Sequence, residues 1–372
     1  MQSRFILSLI LVSSGFALPW HNTPPPSPPP PQDSPTPKYF LETNFTGFYL
    51  QPYANNLTYA IEALPYNYSK DDSPAAIDPS WRVAEIPSDY HLGFDLALSG
   101  IIQPAGSRIR ADWEWYHSQK EIGRLNTDHT TDMVGSFFDI GPDSSLFKIA
   151  KGTATFHFNE ISLNYGTFVK LGKVVDANFF AGASFLALAQ KRKTSFYDPP
   201  ERTIRTIIVP DRFRGYGPQV GLDFLCHIVK GFSFVGDTRA SLFIGNFQNK
   251  TTISTTSPSL RQLGEPDPNI QTLWVEKIGG IVPGLETKLG FAIEFPFKGS
   301  LHLQIEAGYQ AAIYINSLRS IDVGSQTILN AFDSEFGSQP IAADTGVYAR
   351  TMQRTVSDYA MAGPYASFDL HF

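Results

Sequence analysis

The chain has 372 residues, a formal net charge of −6 and a single cysteine, Cys226. The acidic balance argues against nucleic acid as a partner, and one cysteine excludes an intramolecular disulfide framework. Charged residues make up 17%, against roughly 25% in soluble domains, while aromatics reach 13% and mean hydropathy stays slightly polar, a mixture that fits strands with one face in lipid and the other in water.

Residues 1–17 have the three parts of a secretory signal: Arg4, an apolar run from Phe5 to Val12, and small residues around Gly15 and Ala17, with cleavage expected after Ala17. That run is too short to span a bilayer as a helix, and nothing later offers eighteen consecutive apolar residues. Residues 18–39 read as a periplasmic spacer. Ten of the 28 prolines lie within 19–37, which predicts extended polyproline II rather than folded core.

Beyond the spacer, residues 40–372 read as alternating strands and breaks. Strands are predicted at 44–64, 89–99, 107–117, 154–170, 174–190, 214–226, 231–247, 274–296, 299–317 and 358–372. The pattern is clearest from 285 to 316. Leu285, Leu289, Phe291, Ile293 and Phe295 alternate with Glu286, Lys288, Gly290, Ala292 and Glu294; after a short break the alternation resumes from Leu301 to Asn316. Successive side chains on a strand point to opposite faces, so this is a long hairpin with one apolar and one polar face. A typical soluble strand has about five or six residues, whereas crossing lipid at a tilt takes about nine to eleven. Pro52 lies in the first span, which can therefore be two strands. Between Phe158 and Ile161 the apolar phase slips by one residue, which predicts a bulge.

The breaks at 100–106, 171–173, 227–230 and 297–298 are short; those at 65–88, 118–153, 191–213, 248–273 and 318–357 are long. Short and long alternate strictly. The fold expected is an all-β, transmembrane, antiparallel up-and-down β-barrel with short periplasmic turns and long external loops. Ten strands are read directly, and hairpins hidden in 118–153 or 318–357 would raise the number to twelve or fourteen. Phe368, Leu370 and Phe372 alternate at the end of the last strand, a pattern that resembles the signal used by the outer-membrane barrel insertion machinery.

Several segments resemble one family. Phe48-Tyr49-Leu50 with Leu57-Thr58-Tyr59-Ala60-Ile61 looks like its opening strand, and Asp89 to Phe94 with Trp113 to Ser118 looks like its next hairpin. Phe213 to Asp223, Gly231 to Gly245, Val282 to Gly290 and Gly308-Tyr309 extend the likeness. The chain is similar to the Legionella-type major outer membrane protein family, also known in chlamydia-like bacteria, over most of residues 40–372. The resemblance implies an outer-membrane barrel of porin-like character. The lone Cys226 departs from relatives that cross-link the envelope through many cysteines.

Strand polarity predicts a lumen lined by Arg108, Arg110, Asp112, Glu114, Asp223, Glu286, Lys288, Glu294, His302, Gln304 and Glu306. In an open channel such charges select solutes; in a narrow barrel they pair and fill it. The break at 191–213 is basic, with Lys191, Arg192, Lys193, Arg202 and Arg205, and outside the cell it is expected to face lipopolysaccharide phosphates, host polyanions or solvent. Trp113, Trp115, Tyr309, Phe295 and Phe372 are candidates for aromatic girdles. His227, His302 and His371 read as lumen or turn residues, and no catalytic, cofactor or metal pattern stands out. The function expected is a porin or porin-like structural protein for passive small-solute passage, not an enzyme. The alternative is a closed-barrel adhesin or antigen that binds through its external loops. The partners expected are outer-membrane lipid, lipopolysaccharide and the insertion machinery, with homo-oligomer formation left open.

Overall fold

The computed structural model describes residues 38–63, 81–103, 106–118, 121–126, 132–135, 147–172, 174–198, 202–256, 258, 268–296, 302–328 and 346–371. The expected leader 1–17, the spacer up to residue 37 and Phe372 lie outside the described residues.

Strand-forming residues alternate along fourteen strands: β1 (Lys38–Ala54), β2 (Thr58–Ala63), β3 (Trp81–Glu85), β4 (His91–Gln103), β5 (Ser107–His117), β6 (Glu121–Asn126), β7 (Asp132–Gly135), β8 (Ile149–Leu171), β9 (Val175–Asp198), β10 (Thr203–Val229), β11 (Phe232–Thr256), β12 (Asn269–Pro296), β13 (His302–Ile328) and β14 (Gly346–His371). Ten of them close a ring in the order β1, β14, β13, β12, β11, β10, β9, β8, β5, β4 and back to β1. Every neighbouring pair is antiparallel, and the pairing of β5 with β8 closes the ring. The ten expected barrel strands are all present. The tight connection between β10 and β11 turns at Gly231, whose φ of +80° favours glycine.

The strands are longer than expected. From β8 to β14 they run 23 to 28 residues. At about 3.3 Å per residue and a tilt near 40°, each spans roughly 60–70 Å along the barrel axis. A lipid-facing band is only about 25 Å tall. More than half of each long strand therefore stands beyond the lipid, on the side of the long connections.

This length corrects several expected loops. The 191–213 segment is not a loop: β9 and β10 stay paired up to Asp198 and Thr203. Charged residues made it read as a loop, but outside lipid a strand presents charge to water. The 118–153 segment holds β6 and β7, which add no barrel hairpin; β6 pairs with β8 beyond the end of β5, and β7 pairs with β2. Within 318–357 the described residues lengthen β13 and β14 instead of forming a new pair. The span 44–64 is two strands, but Pro52 is not the break. It lies in register opposite Met361 on β14, beyond the last pairing of β4 at Leu50 and His91, so that side of β1 is a free edge there.

No bulge exists between Phe158 and Ile161. The register of β8 on β9 runs unbroken from His157–Ala189 to Ile161–Phe185. Instead the environment inverts. Below this point the outward residues Ile161, Leu163 and Tyr165 are apolar and the inward Glu160, Ser162 and Asn164 are polar. Above it the inward Phe156 and Phe158 are apolar, while the outward His157 and Lys151 meet water. On β10, Arg212 and Arg214 face out above Tyr216, while Phe213 faces in above Gln219 and Asp223. On β11 the outward face changes between Ile244 and Asn246. The inversion marks where each strand leaves hydrocarbon, and above it the inward face buries apolar side chains such as Phe156, Leu188, Val209 and Phe213 among polar ones such as Gln190, Arg192 and Asp211.

Candidate functional site

The interior of the barrel holds nearly every charged residue that strand parity places inside. At its periplasmic end lies a cavity of about 680 Å³, lined by residues that include Glu42, Arg108, Asp223, Gln304, Glu306 and Asp369. Just above, an ion cluster spans the barrel. Arg108 reaches Glu42 at 2.9 Å and Asp223 at 3.4 Å. Arg110 binds Asp112 at 2.5 Å and lies 4.0 Å from Asp223. Arg239 binds Asp237 at 2.8 Å and lies 3.7 Å from Asp112. Lys288 pairs with Asp95 at 3.0 Å, joining two strands that are not neighbours in the ring. Asp112 also accepts a hydrogen bond from Ser162 at 3.1 Å. Opposite charges paired in this way offset the cost of removing each from water.

Above the ion cluster comes an acidic and hydroxyl layer. The Tyr314 hydroxyl contacts Glu286 and donates to Glu160 at 2.9 Å. Ser184 donates to Glu160 at 2.6 Å, and Gln219 donates to it at 3.3 Å. Below the ion cluster, beside the periplasmic cavity, the Tyr365 hydroxyl donates to Glu306 on the adjacent strand.

An aromatic layer follows. Tyr116, Tyr314, Tyr359, Phe48, Phe156, Phe158, Phe213, Phe243, Leu50 and Leu186 are all less than 2% exposed. They come from eight strands of the ring. Phe158 packs tilted on Tyr314 at 5.3 Å and stacked on Tyr359 at 6.3 Å between ring centroids. β8 and β13 stand five places apart in either direction around the ten-strand ring. The Phe158–Tyr314 contact therefore crosses the full width of the barrel.

The outer mouth is also filled. Tyr59 of β2 enters the barrel and lies on Gly152 of β8, where a Cβ would fall 2.5 Å from its ring; only glycine leaves that space. Arg192 donates to Ser320 at 2.8 Å and to the Asn56 carbonyl at 2.7 Å, tying β9 to β13 and to the chain leaving β1.

Of the residues named from sequence, Arg108, Arg110, Asp112, Asp223 and Lys288 meet in the ion cluster, and Glu286 meets Tyr314. Glu114 is buried in the same region, at 4% exposed. Gln304 and Glu306 line the periplasmic cavity. Glu294 and His302 pair at 3.5 Å on the rim, about half exposed. His227 lies at the periplasmic turn 3.2 Å from Asp176. The basic group divides: Lys191 and Lys193 face outward, Arg192 and Arg205 inward, and Arg202 occupies the turn with φ of +52°. Trp113, Trp115, Tyr309 and Phe295 face outward, as does Phe368 on the last strand. Sequence reading missed Glu42, Asp95, Glu160, Asp237, Arg239 and Tyr314. Alternation along β11 marks Asp237 and Arg239 as inward, whereas Glu160 was obscured by the apparent phase slip.

Residues 34–372 match the family described as Legionella pneumophila major outer membrane protein precursor. Among solved structures the chain is similar to the outer membrane protease OmpT from Escherichia coli, with 10% identity over 90% of this chain and 97% of that one, at a TM-score of 0.41. It is also similar to the toluene transporter TodX of P. putida, with 9% identity over 90% and 89%, at 0.29. A Pseudomonas aeruginosa FadL homologue shows 7% identity over 90% of each chain, at 0.25. No curated protein matches the chain.

Proposed function

The chain belongs to the Legionella pneumophila major outer membrane protein family and is an integral outer-membrane β-barrel, and from its filled interior we propose that it serves as a closed structural barrel of that membrane. In this reading the lipid-facing wall anchors it, the ion cluster and aromatic layer seal it, and the long outer half of the barrel is the part presented to the surroundings. No catalysis is assigned to it. The observation that carries the reading is the Phe158–Tyr314 contact across the barrel's width, with Tyr359 packed on both rings. Barrels with few strands are filled by side chains, and those with sixteen or more leave a channel; at ten strands this one follows the smaller class.

A passive porin for small solutes is the competing reading, and the charged periplasmic cavity favours it. To conduct, that barrel would have to part the aromatic layer and displace Tyr59 from its mouth. Liposome swelling separates the two. Vesicles carrying refolded protein should resist sugar entry as protein-free vesicles do. Swelling that rises with protein and falls with sugar size would favour the porin.

A further inference from the structure

The outer wall carries a charged surface that the closed interior does not use. Above the lipid-facing band, Lys151 on β8, Lys191 and Lys193 on β9, Arg212 and Arg214 on β10, and Lys250 on β11 all point outward and are exposed. Pairing brings them together. Arg212 stands opposite Ala189 and Gln248, Lys191 opposite Pro210 and Thr155, and Lys193 opposite Ile208 and Thr153. Diagonal neighbours on adjacent strands lie about 7–8 Å apart, a span that one phosphorylated headgroup covers. Among the described outward residues of these four strands above the band, none is acidic.

Directly beneath, the same strands present an apolar surface. Tyr216, 72% exposed, stands between Phe185 and Ile244, and Phe185 is paired in turn with Ile161. Cations thus begin one or two residues above the hydrocarbon-facing wall, at the height of outer-leaflet headgroups. Guanidinium groups suit phosphate because their planar forks bind two oxygens at once.

We propose that this face is a binding site for a phosphorylated glycolipid of the lipopolysaccharide class. Its acyl chains lie on Ile161, Phe185, Tyr216 and Ile244, and its phosphates lie between the Arg212–Arg214 and Lys191–Lys193 pairs. The continuity of cationic and apolar surface selects a membrane-anchored phosphate over a free one. The site goes beyond the closed-barrel reading and does not depend on it, since it lies wholly on the outside.

The test uses refolded full-length protein in neutral phosphatidylcholine vesicles doped with increasing bisphosphorylated lipid A, and reads the heat-unfolding midpoint by gel mobility. The midpoint should rise with lipid A. In the variant Lys191→Gln/Lys193→Gln/Arg212→Gln/Arg214→Gln, the lipid A needed for half the rise should increase about fivefold per charge removed. The periplasmic variant Lys170→Gln/Lys230→Gln should respond as wild type does. Three results would each overturn the site: a wild-type response in the four-charge variant, an equal response of wild-type protein to dephosphorylated lipid A, or an equal response to inorganic pyrophosphate alone. The last two comparisons need no variant, so they decide the matter even if the substituted chain fails to fold.

Discussion

Replacing Phe158 with alanine measures how dry the barrel is. The side chain is 1% exposed and packs on two tyrosine rings from the opposite wall. Removing a buried phenyl group costs about 3–5 kcal/mol through lost burial and the cavity left behind. If Phe158 instead lined a water-filled channel, the change would cost about 0.5 kcal/mol or less, as at exposed sites. The assay is reversible urea unfolding in phospholipid vesicles, followed by the fluorescence of Trp113 and Trp115, which face the lipid. With a slope near 3 kcal/mol per molar urea, the midpoint should fall by about 1 M or more. The double-mutant cycle with Tyr314→Phe and Tyr314→Ala adds a second readout: Phe158 should couple to the ring at position 314 by about 0.5–1.5 kcal/mol and scarcely to its hydroxyl. A loss below about 1 kcal/mol, together with zero coupling, would refute the sealed interior.

Three further outcomes follow from the same geometry. Lys288→Met leaves Asp95 buried without its partner and should destabilise the barrel by about 3–5 kcal/mol; Lys288→Met/Asp95→Leu should recover most of that loss in the same urea assay, and failure to recover would mean the pair is wet. His157 stacks on His117 at 4.0 Å just above the lipid-facing band, and burial, then His117, then Arg212, push its pKa below 6.5. The folded state therefore disfavours the protonated ring, so its contribution to stability is complete above about pH 6.5 and is lost as pH falls below that value. His157→Gln should lessen the drop in unfolding midpoint between pH 7.5 and pH 5, and an unchanged drop would remove this histidine from the account. Gly152→Val puts side-chain atoms where the Tyr59 ring lies and should release β2 from the mouth, seen as faster trypsin cleavage at Arg82 in intact vesicles; equal cleavage rates would show that Tyr59 does not hold that segment.

Alternation along the chain disclosed the ten barrel strands because lipid on one side and protein on the other is a period-two signal. The same signal misplaced the strand ends. Beyond the membrane, outward Lys191, Lys193 and Arg212 look like loop residues, although their inward neighbours Leu188, Val209 and Phe213 continue the strand as a buried face. The apparent slip at Phe158 was a change of solvent, not of register. Side-chain parity put Arg108, Asp112, Glu286 and Lys288 inside, but their partners could not be read from spacing. Asp95 and Lys288 are 193 residues apart, and Glu160 and Tyr314 are 154 apart. Those contacts exist only because closure sets opposite walls face to face, and whether a ring of this size is filled depends on side-chain volumes summed across all ten strands.

Current recorded across a planar bilayer holding single refolded barrels reads whether the aromatic layer seals the interior. Wild-type protein that is correctly folded by gel mobility should give no lasting steps, and steps should appear once Phe158, Tyr314 and Tyr359 are all cut back to alanine. Steady, voltage-resistant steps from the wild-type chain would contradict the seal.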